Sequence, residues 1–174
     1  MDDLVRKESP QDSEMMFQGI ETLALRMERI SRSTLAVLDF LHQHPAVARI
    51  HHVAHPSHPD HSHAPRYLRA GLVPGLLSFE LHGGRGAAQR FYDALGLFQR
   101  LVNIGDSKSL AAIPAETTHQ QLSDAELARA GIAPGLVRLS IGIEHQDDLL
   151  ADLRQALARC TPVPAAPGAL ADVA

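Results

Sequence analysis

The stretch GLVRLSIGIE, residues 135–144, decides the fold, because apolar side chains alternate in it with small or polar ones. This alternation is typical of a strand with one buried face, so we predict a strand over residues 136–143. The apolar face carries Val137, Leu139, Ile141 and Ile143. Arg138 therefore lies on the opposite face, away from the core.

Working outward from this stretch, three other segments are apolar, short and bounded by glycine, proline or asparagine, and we predict them as strands: residues 48–53, 75–81 and 109–114. Helices are predicted at about 62–71, 84–97, 123–130 and 146–159. Ser123 and Glu126 have the spacing of a capping box, which supports the third of these. Helices interspersed with strands indicate a small α/β (α+β) fold, with helices covering one face of a sheet of about four strands.

The N-terminal part predicts one long helix, from Phe17 to just before Pro45, because its apolar residues recur three and four positions apart. That stripe comprises Ile20, Leu23, Met27, Ile30, Thr34, Val37, Leu38 and Leu41. It needs a partner surface to cover it. Residues 1–14 are polar and are either a loose arm or the start of the helix, and the Pro/Ala/Gly-rich residues 161–174 are expected to be disordered.

The length, charge and cysteine content of the chain exclude several classes of function. A chain of 174 residues with 45% hydrophobic content suffices for one core, so a single domain is expected. The net charge of −4, without a basic stripe, argues against nucleic acid as a partner. No signal peptide or membrane-spanning run is evident, and we expect a soluble, cytoplasmic protein. The single cysteine, Cys160, cannot form an internal disulfide and is interpreted as a bystander.

Two stretches invite a functional interpretation of their own. Residues 51–63 contain six histidines, which could supply imidazole ligands to a metal. Strand geometry turns His51 and His52 to opposite faces and Asp60 is the sole carboxylate there, so we favour a solvated loop and predict no metal site. Gly83-Gly84-Arg85-Gly86 could cradle an anion, but a strand-to-helix turn that needs positive φ explains it better.

The C-terminal half contains three ordered motifs: LVNIGDSKSLAAIPAETTH at 101–119, LSDAE at 122–126, and GIAPGLVRLSIGIE at 131–144. Together they resemble the C-terminal domain of the Cys/Met-metabolism pyridoxal-phosphate enzymes, over roughly residues 17–159. Asn103 and Lys108 resemble the O-acetylhomoserine sulfhydrylase branch. The resemblance implies the small domain of a fold-type I enzyme, with a mainly antiparallel sheet.

The resemblance also implies site residues. Arg138 matches the arginine that holds the substrate's α-carboxylate, a role that suits the planar fork of a guanidinium. Asn103 and Thr118 match residues that help to shape the same pocket. The family's cofactor is pyridoxal phosphate, bound to a lysine, but Lys7 and Lys108 are the lysines of this sequence and neither lies in a matching context. We therefore predict no catalytic or cofactor-binding residue here, and no covalent attachment of the cofactor.

Three segments follow from this: a polar arm at 1–14, the substrate-carboxylate domain at 15–160 and the tail at 161–174. The implied function is that of the C-terminal domain of a transsulfuration enzyme acting on an O-acetylhomoserine-type substrate. Its chemistry would need a separate large domain as partner, and a homo-oligomer is also possible. The alternative is a truncated, non-catalytic remnant or an amino-acid-binding module of the same fold.

Overall fold

The computed structural model describes residues 9–69, 71–117 and 121–160, and the structural findings below concern these residues. Its helices are α1 Pro10–Glu21, α2 Leu23–His42, α3 Ala64–Tyr67, α4 Gly84–Ala94, α5 Asp124–Arg129 and α6 Gln146–Ala158. Its strands are β1 Val47–His51, β2 Leu76–Leu81, β3 Gln99–Arg100, β4 Leu110–Ala112 and β5 Leu136–Ser140. The predicted tail at 161–174 and most of the predicted polar arm lie outside the described residues.

The strands form one sheet in the order β1-β2-β5-β4-β3. All neighbours pair antiparallel except β3 and β4, which are parallel. The mixed fold and all four predicted strands are confirmed. Strand β3 was not predicted, because its two residues are too few to show an alternating pattern.

One face of the sheet forms the core. Val137 and Leu139 of β5 are fully buried, and Phe79 of β2 meets Phe91 of α4 edge to face, with ring centroids 5.5 Å apart. Helices α2, α4 and α6 pack on this side. Arg138 lies between the two buried residues of β5, so it belongs to the other face, in register with Ser78 of β2.

The predicted long helix is two helices, and the single-helix prediction is wrong at Thr22, where the helical backbone is interrupted. The Thr22 hydroxyl donates to the Gln18 carbonyl at 3.4 Å, a local bond that competes with regular helix geometry. Ser9 and Asp12 form a capping box, so α1 starts at Pro10 and the described end of the polar arm is helical. The stripe is buried from Ile30 onward and exposed before it.

Two predicted helices end early. The one at 62–71 shrinks to a single 3-10 turn, His61–His63, followed by α3. The one at 84–97 ends at Ala94, because the buried Asp152 carboxylate accepts three backbone N–H groups between residues 96 and 98, at 2.8 to 3.1 Å. Burial alone raises the pKa of Asp152, but these N–H groups outweigh it and the pKa lies below its ordinary value.

The capping box of Ser123 and Glu126 starts α5 as predicted. Cys160 is buried, and burial raises its pKa to about 11, so the thiol is unreactive at neutral pH, in keeping with a bystander. None of the described helices is long and apolar enough to cross a membrane.

Candidate functional site

The candidate site is centred on Arg138, in the middle of β5. Its side chain is half-buried, and Nη2 donates to the main-chain carbonyl of Asn103 at 3.5 Å. These two residues are 35 positions apart, so the fold brings together two of the three predicted site residues. The third, Thr118, lies outside the described residues.

Asn103 lies in the 101–109 loop, which connects β3 to β4. Its amide Nδ2 donates to the carboxylate of Asp106 at 3.4 Å, and its Oδ1 accepts the N–H of Ile104 at 2.9 Å. The N–H of Lys108 donates to the same aspartate and, as the main cause, lowers its pKa. The side chain of Asn103 thus bonds within its own loop, and its main-chain oxygen is the atom that meets Arg138. The role predicted for the side chain remains a prediction.

A second cluster joins this loop to the residues that follow β5. Glu144 accepts twice from Ser109: from the N–H through Oε1 at 2.6 Å and from the hydroxyl through Oε2 at 2.8 Å. The Ser109 hydroxyl in turn accepts the N–H of Gly142 at 2.8 Å. Ser109 and Glu144 lie in the motifs at 101–119 and 131–144, but no role was predicted for them, because sequence spacing does not show that two motifs touch.

The strand predicted to reach residue 143 ends at Ser140, and the 101–109 loop packs on Gly142 just beyond it. A Cβ at position 142 would lie 2.5 Å from Oε2 of Glu144 and 2.6 Å from the main-chain carbon of Lys108. The 101–109 loop therefore packs directly on the Gly142 backbone, and only glycine fits there without displacing it.

The histidine run has a different organisation. Nδ1 of His52 accepts the N–H of Ala54 at 3.1 Å, and its Nε2 lies 2.9 Å from the Pro74 carbonyl. Nε2 of His55 lies 3.0 Å from Nδ1 of His42. Within the described ranges, no three histidine, cysteine, aspartate or glutamate side chains converge on a point that could hold a metal.

The glycine-rich stretch at 83–86 was the other candidate. Gly83 and Gly84 have φ of 91° and 61°, which fits the turn interpretation.

Lysine-bound pyridoxal phosphate does not fit these residues. Lys7 lies outside the described part of the chain, and Lys108 is exposed in the 101–109 loop. A lysine that forms a Schiff base is typically activated by burial or by a neighbouring cation, and exposed Lys108 lacks the burial. Among the described residues, none is a lysine enclosed by the fold.

Comparison with known proteins defines the family. Residues 4–158 match the sequence profile of the Cys/Met metabolism PLP-dependent enzymes, and the chain belongs to this family. It is 46% identical over 149 residues to the O-acetyl-L-homoserine sulfhydrylase of Leptospira meyeri, a match that covers 86% of this chain and 34% of that protein. It is 44% identical to the L-methionine gamma-lyase of Pseudomonas putida, covering 86% of this chain and 37% of that one.

The fold matches as well. A structure from Campylobacter jejuni, described as an O-acetylhomoserine (thiol)-lyase, aligns with a TM-score of 0.82 and 42% identity, over 90% of this chain and 37% of that chain. That structure carries a pyridoxyl-lysine monophosphate group, in keeping with a family that depends on pyridoxal phosphate. The family prediction is confirmed. This chain spans about a third of the length of these relatives.

Proposed function

We propose that this chain is the domain of an O-acetylhomoserine sulfhydrylase-like enzyme that binds the substrate's α-carboxylate, and that a large domain supplies the lysine and the cofactor. The observation that carries the proposal is the meeting of Arg138 with the carbonyl of Asn103. A main-chain carbonyl 3.5 Å from one Nη nitrogen gives the guanidinium a weak contact that favours one orientation of its fork. A carboxylate accepts such a fork through two parallel bonds.

The location of Arg138 suits this role. A central strand is a rigid support, because β5 pairs with β2 on one side and with β4 on the other. Half-burial lowers the local dielectric constant, so a carboxylate gains more from the guanidinium than it would on an open surface. Arginine also stays charged at any physiological pH.

The range of relatives supports binding of the shared part of the substrate. Their names include an O-acetyl-L-homoserine sulfhydrylase, an L-methionine gamma-lyase and an O-succinylhomoserine sulfhydrylase. The compounds in these names differ in the side chain, but all are α-amino acids. A domain that holds the carboxylate could serve each of these reactions, while the bond that breaks is chosen elsewhere.

An exposed apolar face gives the large domain a place to dock. Helix α1 buries none of its residues, and the start of α2 is similarly open. The exposed side chains are Met15, Met16, Phe17, Ile20, Leu23, Leu25 and Met27. Leu101, Val102 and Ile104 are exposed beside Asn103. So many exposed large apolar side chains are uncommon on free monomers, so we expect a protein surface to cover them.

A chimera tests the proposal. Residues 15–160 replace the matched third of the Leptospira meyeri sulfhydrylase, and the remaining two thirds supply the large domain. We expect a folded protein with cofactor absorbance that turns over O-acetyl-L-homoserine with a thiol donor. The 174-residue chain alone should show no turnover and retain no cofactor after washing. A chimera that folds and holds the cofactor but has no activity would contradict the proposal and favour a non-catalytic module.

A further inference from the structure

Residues 101–105 of the 101–109 loop have few ties to the rest of the fold, whereas the Ser107 carbonyl, near the end of the loop, accepts the N–H of Ile143 at 2.9 Å. Residues 101–105 are all exposed, and the loop has no strand pairing between the end of β3 and the start of β4. Its internal bonds, from Asn103 and Lys108 to Asp106, join residues of the loop to one another. The position of the carbonyl that meets Arg138 must therefore be set by contacts at the ends of the loop.

The strongest of those contacts are made by Ser109. This residue is fully buried, and a buried hydroxyl and N–H are costly to leave without partners. Both donate to Glu144, one to each carboxylate oxygen, at 2.8 and 2.6 Å. Hydrogen bonds to an ionised carboxylate are roughly twice as strong as those between neutral groups.

Glu144 is itself fixed from a third side. Its main-chain carbonyl accepts from Nη2 of Arg29 at 3.0 Å and from Nε at 3.3 Å. Arg29 belongs to α2, so this contact ties the end of β5 to the helix layer. Gly142 lies between the two partners, and its N–H donates to the Ser109 hydroxyl. The pair of Glu144 and Ser109 thus connects the loop, through Arg29, to helix α2.

We infer that Glu144 and Ser109 are positioning residues for the carboxylate site: they hold the 101–109 loop so that the Asn103 carbonyl restrains Arg138. This inference rests on the proposed function, because it concerns how the same arginine is oriented. Neither side chain touches the substrate. Both act through the loop, and losing either one lets the carbonyl move away and the guanidinium sample other directions.

The experiment measures KM and kcat of the chimera with O-acetyl-L-homoserine. Ser109→Ala and Glu144→Gln each remove part of the pair. Ser107→Ala is the matched control on the same loop, because its hydroxyl donates to Asp106 at 3.4 Å rather than to Glu144. We expect Ser109→Ala and Glu144→Gln to raise KM about tenfold, with kcat within about twofold and cofactor absorbance unchanged, since such bonds each contribute on the order of one decade in binding. The control should stay within about twofold of the parent.

A double-mutant cycle separates positioning from general destabilisation. In an Arg138→Ala background, Ser109→Ala should leave KM where Arg138→Ala alone put it, because the arginine through which it acts is gone. Additive effects, or an unchanged KM in both single variants, would overturn the positioning role. If those single variants keep KM while Arg138→Ala raises it, the proposed function stands without this inference. If Arg138→Ala itself leaves KM unchanged, both are overturned.

Discussion

Two polar regions of this molecule can be compared directly, the Arg138 site and the histidine run. The site is built from residues that are distant in sequence: Arg138 meets Asn103 across 35 positions, and Glu144 meets Ser109 across 35. In the histidine run, His52 bonds to the N–H of the residue two positions on, and His55 lies near the N–H of the residue two positions on. The two pairs at the site depend on the fold, whereas the run combines these local bonds with distant ones, from His51 to Glu80 and from His52 to Pro74.

This difference changes how the two regions should be interpreted. Six histidines in thirteen positions are the more conspicuous signal in sequence, yet their ring nitrogens bond to neighbouring backbone and side-chain groups. A single arginine with no local partner is the less conspicuous signal. Arg138 is a site candidate because of its place on strand β5 and because the 101–109 loop approaches it.

The largest effect is expected at the point where the loop packs on the strand. Gly142→Ala would force a methyl group against Glu144 and the Lys108 backbone, and should lower the free energy of unfolding by about 3 kcal/mol, the upper range for overpacking. Gly19→Ala is the matched control, because it lies in α1 with nothing within 4 Å of its Cβ and should be neutral or slightly stabilising. Urea unfolding of the 174-residue chain measures both. Equal midpoints would show that the loop does not press on Gly142.

A smaller effect should appear in the histidine run as the pH falls. Burial lowers the pKa of His52 and His55 below the ordinary value of 6.5, so the unfolded chain binds protons first. Their contribution to stability is complete above pH 6.5 and is lost as the pH falls through the folded pKa values. The free energy of unfolding should therefore decrease below that pH, and the slope should be shallower in His52→Asn. A slope of the opposite sign would refute this account of the run.

The smallest effect is expected in a test for metal bound to the histidine run. Because the described part of the chain brings no three suitable ligands together, the purified protein should retain no stoichiometric zinc after dialysis. Elemental analysis measures this. One equivalent of zinc that disappears in a His42→Ala, His55→Ala double variant would show that the run is a site after all.

Periodicity predicted the regions that a single pattern governs. Strands β2 and β5 have clear alternation, and the capping box of α5 is a local signal. Periodicity failed where a tertiary contact decides the boundary. The Asp152 carboxylate, on another helix, binds the backbone that follows α4, and β5 ends just before the residue on which the 101–109 loop packs. Neither contact can be read from neighbouring residues.

The candidate site, like the fold, was predicted only in part. Arg138 was found because strand phase and family resemblance both selected it. Ser109 and Glu144 were not selected because sequence does not show that they meet each other, and a serine or a glutamate in a motif has many ordinary roles. The main-chain carbonyl of Asn103 was missed for a simpler reason, since every residue has one and sequence does not show which of them is used.

The most direct test of the central claim is the KM of the chimera for O-acetyl-L-homoserine after Arg138→Ala, with Arg138→Lys as the conservative comparison. We predict that alanine raises KM about 30-fold or more, since removing the charged partner of a carboxylate typically costs about 2 to 5 kcal/mol. Lysine should recover part of this loss, because it keeps the charge but not the fork. Cofactor absorbance should be unchanged in both. A KM in Arg138→Ala equal to that of the parent chimera would show that this domain does not bind the substrate through Arg138.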